Sequence, residues 1–457
     1  MRLSPRALLI SAACGSVALA ASAQSAAFAA EESPAERRVQ VVMVNFTDSS
    51  FPDATATEKL LKKAYFGESG SLTSYYNEVT RKATTFKPAG DDGVLGPIDL
   101  PMTGAGCDSD KISDLTYKAL EEKGITEDDY EHVSVVFPNQ KTDCDYLALG
   151  SVGGGTTWMP IDGEEISMTA LVHEFGHNFG YDHHMRLRCD GTDLASCKDS
   201  DETSHKTPMG GGGWEAGLTS PELIHSKWLS GKGAVKVAKS GTYTLRPLYG
   251  AGSGVRALDI PVGDDRLVVE LRGASGTLDK GIEGVHAYRV QKGDYAASAL
   301  VDTTPDADHS SDGGAPDADA LAAGRTLTDK ADKVQVKVVK SGSGAATVAV
   351  SLNGEPAPAA TPATGWGSGS GADAGSAAGA DEQGVVPQTE GEEPADGTRA
   401  EGAKGAEGTE LAETGGDSTT LPVAAGGAAL LALGAAFLLR SRRRRPAPAS
   451  PAGRHSR

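Results

Sequence analysis

Apolar side chains recur along this chain in two rhythms that change near residue 231. Over residues 39–46 they form a run broken only by Gln40 and Asn45, the pattern of a strand buried on both faces. Helical spacing follows over 58–65 and again over 110–122, with a second buried strand at 133–137. Met168, Leu171, Val172, Phe175 and Phe179 then mark one face of a helix, and Glu164 and Glu165 suit the positive end of its dipole. This mixture over residues 38–230 predicts an α/β domain. Beyond 232 the pattern shortens to alternating runs at 242–245, 267–271, 285–290 and 334–339, which predict a β-sandwich over 232–353. Neither part contains an internal repeat.

The two ends follow other rules. Arg2 and Arg6 precede an apolar run over 7–23, and small residues at Ala21, Ser22 and Ala23, or at Ala27 and Ala29, offer cleavage points. Residues 1–30 are therefore expected to be a secretory signal peptide, with Cys14 removed along with it. The two arginines are not adjacent, which favours export of the unfolded chain and loading of any metal outside the cell. Residues 354–410 are Ala, Gly, Pro, Glu and Asp, with only Arg399 and Lys404 against a long series of carboxylates. Such a segment buries too little to offset its ordering entropy and is expected to be a disordered, extended spacer. Then come Leu411-Ala412-Glu413-Thr414-Gly415, 19 residues from 421 to 439 without a charge, and Arg440 with Arg442, Arg443, Arg444 and Arg445. As a helix the apolar stretch reaches about 28 Å, enough to span a bilayer, and the arginines would hold its end in the cytoplasm. Residues 411–445 resemble the LAxTG sorting signal of Gram-positive, high-GC actinobacterial cells. The resemblance implies transfer by a housekeeping sortase at Thr414 onto cell-wall peptidoglycan, the alternative being a permanent membrane anchor. The net charge of −19 argues against nucleic acid as a partner.

The chemistry concentrates between residues 173 and 183, which read HEFGHNFGYDH. On a helix His173 and His177 stand one turn apart on one face and can aim imidazole nitrogens at one ion. Gly180 then permits a left-handed exit that swings His183 back as a third ligand, leaving a fourth position for water. Glu174, beside the first histidine, is placed to take the proton of that water and is expected to be a general base rather than a ligand. Three nitrogens with an open fourth position point to one catalytic Zn2+. His184 is a possible competitor of His183, which the spacing favours. His132, His205, His225, His286, His309 and His455 lack ligand spacing and are expected to be ordinary surface or core residues.

Thr207-Pro208-Met209-Gly210, 26 residues beyond His183 when counted to Met209, looks like the methionine turn beneath the zinc of metzincins. Segments 41–46, 71–78 and 150–158, Gly96-Pro97 with Leu100-Pro101, and 223–229 with Lys227-Trp228 extend the likeness, so that residues 38–350 resemble the gametolysin family of metzincin peptidases. Asn178 inside the motif is shared with the reprolysin branch, and the flanking segments decide between the two. The resemblance implies a zinc metalloendopeptidase with a mixed sheet, an active-site helix and a cleft. It assigns His173, His177 and His183 to zinc, Glu174 to the base and Met209 to the floor of the site. This chain departs from some metzincins in having no tyrosine at short spacing after Met209, which leaves the oxyanion stabiliser besides zinc without a residue.

Cys107, Cys144, Cys189 and Cys197 are an even set for an oxidising compartment. Three connectivities are open, and we favour Cys107 with Cys144 and Cys189 with Cys197 over a cysteine-held zinc. Asp302, Asp306, Asp308, Asp312, Asp317 and Asp319 offer oxygens to calcium, but their spacing is not that of an EF-hand, and a solvated acidic loop is favoured. Too few residues separate the signal peptide from the first strand for a folded pro-domain, so an enzyme active without maturation is expected. The expected substrate is an extracellular protein or peptide. A surface adhesin with an inert peptidase domain is the rival, and nothing in the pattern fixes an oligomeric state.

Overall fold

A computed structural model describes residues 34–162, 164–304 and 319–358. The expected signal peptide, the sorting segment with Thr414, nearly all of the spacer, and Asp306, Asp308, Asp312 and Asp317 lie outside these residues. The chain opens with β1 (Ala35–Asn45), α1 (Ala54–Phe66), α2 (Leu72–Val79), β2 (Thr84–Pro88), β3 (Val94–Asp99) and α3 (Ser109–Glu122). It continues through β4 (His132–Pro138), β5 (Leu149–Gly150), β6 (Thr156–Ile161) and α4 (Met168–Asn178). The first sheet runs β2-β1-β4-β6-β5, with β3 also on β1; every pairing is parallel except that of β5, the antiparallel edge. The alternation along β1 shows why the apolar run is continuous. Val39, Val41 and Met43 enter the core beneath α1, α2 and α4, while Val42 and Val44 enter the core shared with α3. A strand covered on both faces has no position for a solvated side chain.

The helix at the histidines starts at Met168, the first residue of its apolar stripe. Ser167 is the N-cap, its hydroxyl accepting from the Ala170 N–H at 3.2 Å, and no acidic residue occupies the first turn. Glu164 and Glu165 therefore precede α4. A side-chain oxygen on the first free amides ends the helix more directly than charges farther out.

The second half adds β7 (Met185–Cys189), β8 (Cys197–Thr203), α5 (Ser220–His225), β9 (Ala234–Lys236), β10 (Gly241–Leu245), β11 (Ala257–Val262) and β12 (Asp265–Arg272). After these come β13 (Gly284–Val290), β14 (Ala299–Asp302), β15 (Thr326–Asp329), β16 (Val334–Gly342) and β17 (Ala345–Ser351). They form a seven-stranded sheet, β8-β7-β14-β13-β12-β11-β9, and a four-stranded sheet, β10-β17-β16-β15. Leu258, Ile260, Leu267, Val269 and Val285 of the first share a core with Val336, Val338, Val348 and Val350 of the second. The opposite face, through Ala257, Val268 and Val290, packs into the core that holds α4.

This arrangement differs from the expected division at 230/232. Strands β7 and β8, from residues 185–203, hydrogen-bond into the sheet of the later segment through β14, so that sheet is built from both sides of the boundary. Parallel pairing of β14 with β7 joins residues more than a hundred positions apart, which no local periodicity encodes. Both favoured disulfides are formed: Cys107–Cys144, and Cys189–Cys197, whose residues face each other on β7 and β8. Among the described residues no helix is long and apolar enough to cross a membrane.

Candidate metal centre

Two of the three histidines come from α4. The centroids of the His173 and His177 rings lie 4.7 Å apart, and His183 stands 5.2 Å from the first and 5.0 Å from the second. One nitrogen from each ring lies within 4.8 Å of the others. The return of His183 depends on Gly180, whose φ of 91° lies where a side chain is strained. Phe179 ends the helix, the Gly180 N–H bonds back to the His177 carbonyl at 2.8 Å, and the chain reverses toward the first two rings.

The other ring nitrogens are already engaged. His173 Nδ1 donates to the Pro208 carbonyl at 2.6 Å, and His177 Nδ1 donates to the Tyr181 carbonyl at 2.7 Å. A carbonyl only accepts, so both protons are assigned to Nδ1 and each Nε2 keeps a lone pair. Burial holds the rings neutral, lowering His173 to about 3 with help from His177, lowering His177 to about 4, and lowering exposed His183 as well. Neutral imidazoles with aligned free nitrogens are the form that binds a metal. A convergent set of three nitrogens, with no thiolate or carboxylate in the group, fits zinc with a fourth position open.

Glu174 is 6 % exposed and belongs to no ion pair among the described residues. Burial raises its carboxyl to about 8. Gly150 of β5 packs its backbone against this residue: a Cβ at Gly150 would come within 2.5 Å of the Glu174 carbonyl oxygen and 3.0 Å of its Oε2. The edge strand and the carboxylate are thus immediate neighbours.

Met209 is fully buried below α4. A Cβ at Gly176 would meet its sulfur at 2.2 Å, so a glycine stands in the helix where the methionine approaches. The Met209 carbonyl accepts from the His184 N–H at 2.9 Å, which ties the turn to the residue after His183. The His184 ring takes no part in the nitrogen cluster. It is 2 % exposed, lies edge-on to Tyr288 at 5.3 Å, and is lowered to about 3 by burial and then by Arg272.

Several supporting residues carry no ligand spacing to reveal them. Asn178 Oδ1 accepts from His132 Nδ1 at 3.1 Å, and its amide donates to the Ser151 and Thr156 carbonyls at 3.1 and 3.0 Å, fastening α4 to the β5–β6 turn. In the sequence the available signal is an asparagine directly after His177. Arg272, with no exposed surface, donates to the Lys206, Gly217 and Leu218 carbonyls and pairs with Glu270 and Asp279. Asp302 and Asp319 depart from the expected solvated acidic loop: both are buried and pair with Arg186, Asp302 at 3.2 Å and Asp319 at 2.7 Å, and Asp319 also pairs with Lys206 at 3.2 Å. They are interior counter-ions, not members of a solvated loop, and they form no group of three oxygens suited to calcium among the described residues.

No protein-family model matches this chain, and no curated protein does. Among solved structures, wild-type OgpA from Akkermansia muciniphila aligns with a TM-score of 0.30 and 10 % identity over 58 % of this chain and 92 % of that one. Catalytically inactive OgpA in complex with an O-glycopeptide substrate, glycodrosocin, aligns with a TM-score of 0.28 and 10 % identity over the same shares, 58 % and 92 %. A chaperone–substrate complex gives 0.22 and 18 % identity over 38 % of this chain and 31 % of that chain. Scores this low carry no argument, and the functional reading rests on the site itself.

Proposed function

We propose that this chain is a zinc-dependent endopeptidase that cleaves extracellular proteins. The observation that carries the proposal is the convergence of three neutral imidazole nitrogens within 4.8 Å beside a buried carboxyl that belongs to no ion pair among the described residues. A bound zinc ion would supply Lewis acidity, polarising a carbonyl and lowering the pKa of water toward about 7. His173, His177 and His183 would hold it, with the Pro208 and Tyr181 carbonyls fixing the tautomer of the first two. Glu174 accepts the proton of the attacking water and returns it to the departing amine, which requires no covalent link between enzyme and substrate. Met209 and Gly176 set the depth at which the helix lies over the turn.

Substrate placement follows from the edge strand. Among the described residues β5 pairs only with β6, so its outer edge would be offered to an extended peptide, and it runs directly past Glu174. Leu147 and Val152, 42 % and 59 % exposed, flank it and offer apolar contact. A cavity of about 290 Å³, lined by Leu147, Met159 and Ile161 together with the acidic Asp162, Glu164 and Glu165, reaches Ala170, one helical turn before Glu174 on the same face of α4.

The gametolysin type, secretion, and sortase linkage at Thr414 complete the proposal and rest on the sequence features given above. Casein digestion with and without a zinc chelator tests the activity. Cleavage is expected to stop on chelation and return with zinc; cleavage indifferent to chelator would defeat the reading.

A further inference from the structure

The first turn of α5 carries a glutamate that does more than cap the helix. Glu222 is 1 % exposed and occupies the third helical position, where its Oε2 accepts the Thr219 N–H at 2.6 Å. A capping carboxylate needs only that contact. Here the Thr207 hydroxyl, from the methionine turn, lies 3.0 Å from Oε1 and 2.9 Å from Oε2. The Thr207 oxygen in turn accepts the Met209 N–H at 3.3 Å, and the Thr207 carbonyl accepts the Gly210 and Gly212 N–H groups, each at 3.1 Å. Thr207 is thereby held at both its side chain and its backbone.

The residue between Thr207 and Met209 is Pro208, whose carbonyl accepts His173 Nδ1–H at 2.6 Å. Proline has no N–H and a fixed φ, so the direction of this carbonyl is set by the residues on either side of it. The Thr207 hydroxyl bridges those two residues, and Glu222 is the acceptor that orients the hydroxyl. We propose that Glu222 is a positioning residue for the metal centre: acting through Thr207, it aims the Pro208 carbonyl and so fixes the tautomer and orientation of His173. This rests on the reading of His173, His177 and His183 as metal ligands. Partners one step removed from the ligands typically change metal affinity by about 10- to 100-fold when altered.

Two variants separate positioning from helix capping. Thr207→Val keeps the shape and leaves Glu222 free to cap α5, removing only the hydroxyl bridge; Glu222→Gln offers a single acceptor oxygen to two donors. Thr207→Ser retains the hydroxyl and serves as the rescue. Zinc affinity would be measured by competition with a chromophoric chelator, alongside the visible spectrum of the Co2+-substituted protein and the melting temperature of the metal-free protein. We expect Thr207→Val and Glu222→Gln to bind zinc about 10- to 100-fold more weakly with an altered Co2+ spectrum, and Thr207→Ser to match wild type. Wild-type zinc affinity and an unchanged spectrum in Thr207→Val or in Glu222→Gln, whatever the melting temperature, would overturn the proposal and reduce Glu222 to a helix cap. Absence of zinc binding in the wild type would instead overturn the underlying ligand assignment, and this inference with it.

Discussion

The buried carboxyl of Glu174 should be a liability to the metal-free protein, and its size can be worked out. Burial raises this group from an ordinary 4.5 to about 8. Because the folded pKa lies above the unfolded one, the unfolded chain releases its proton first as pH rises. The favourable contribution is therefore complete below about pH 4.5, declines between 4.5 and 8, and is gone above the folded value. At about 1.4 kcal/mol per pH unit the difference reaches about 5 kcal/mol, comparable with the whole stability of a marginal domain. Glu174→Gln is neutral at every pH and removes the dependence while keeping the shape. Urea unfolding of both proteins after chelation, at pH 5, 6, 7 and 8, measures the difference. The variant's advantage over wild type should grow by about 1 kcal/mol or more per pH unit and shrink when zinc is added, since a neighbouring cation favours the ionised carboxylate. A difference independent of pH would refute the reasoning.

Two other perturbations probe the surroundings. Arg272→Met leaves Glu270 and Asp279 buried without their cation and frees the Lys206, Gly217 and Leu218 carbonyls, so a loss of about 3–5 kcal/mol is expected in chemical unfolding; a loss below about 1 kcal/mol would mean that the network is replaceable. Thr414→Ala should move the protein from the fraction released by wall-degrading enzymes to the membrane fraction, and an unchanged distribution would argue against sortase processing at that residue.

What could be read from the sequence was local. The spacing of His173, His177 and Gly180 encodes one helical face and its exit, and the alternation of Val39, Val41 and Met43 against Val42 and Val44 encodes a strand covered twice. The apolar stripe from Met168 marks α4, and its start is set by Ser167 and not by Glu164 and Glu165, because a cap acts through one hydrogen bond at one position. Joining of β7 to β14 and the burial of Asp302 and Asp319 against Arg186 escaped the sequence for a different reason. Each pairs residues more than a hundred positions apart. Nothing in the sequence marks Glu222, since its contact with Thr207 depends on where that residue lies in space.

The central claim is that the histidines hold the metal and Glu174 moves the proton. The most direct test is peptide cleavage by zinc-loaded Glu174→Gln, with bound zinc measured in the same sample. One zinc per chain with most of the activity lost is the expected result, because the histidines supply the ligands and an amide cannot accept the proton. Full activity in the zinc-loaded variant would contradict the account.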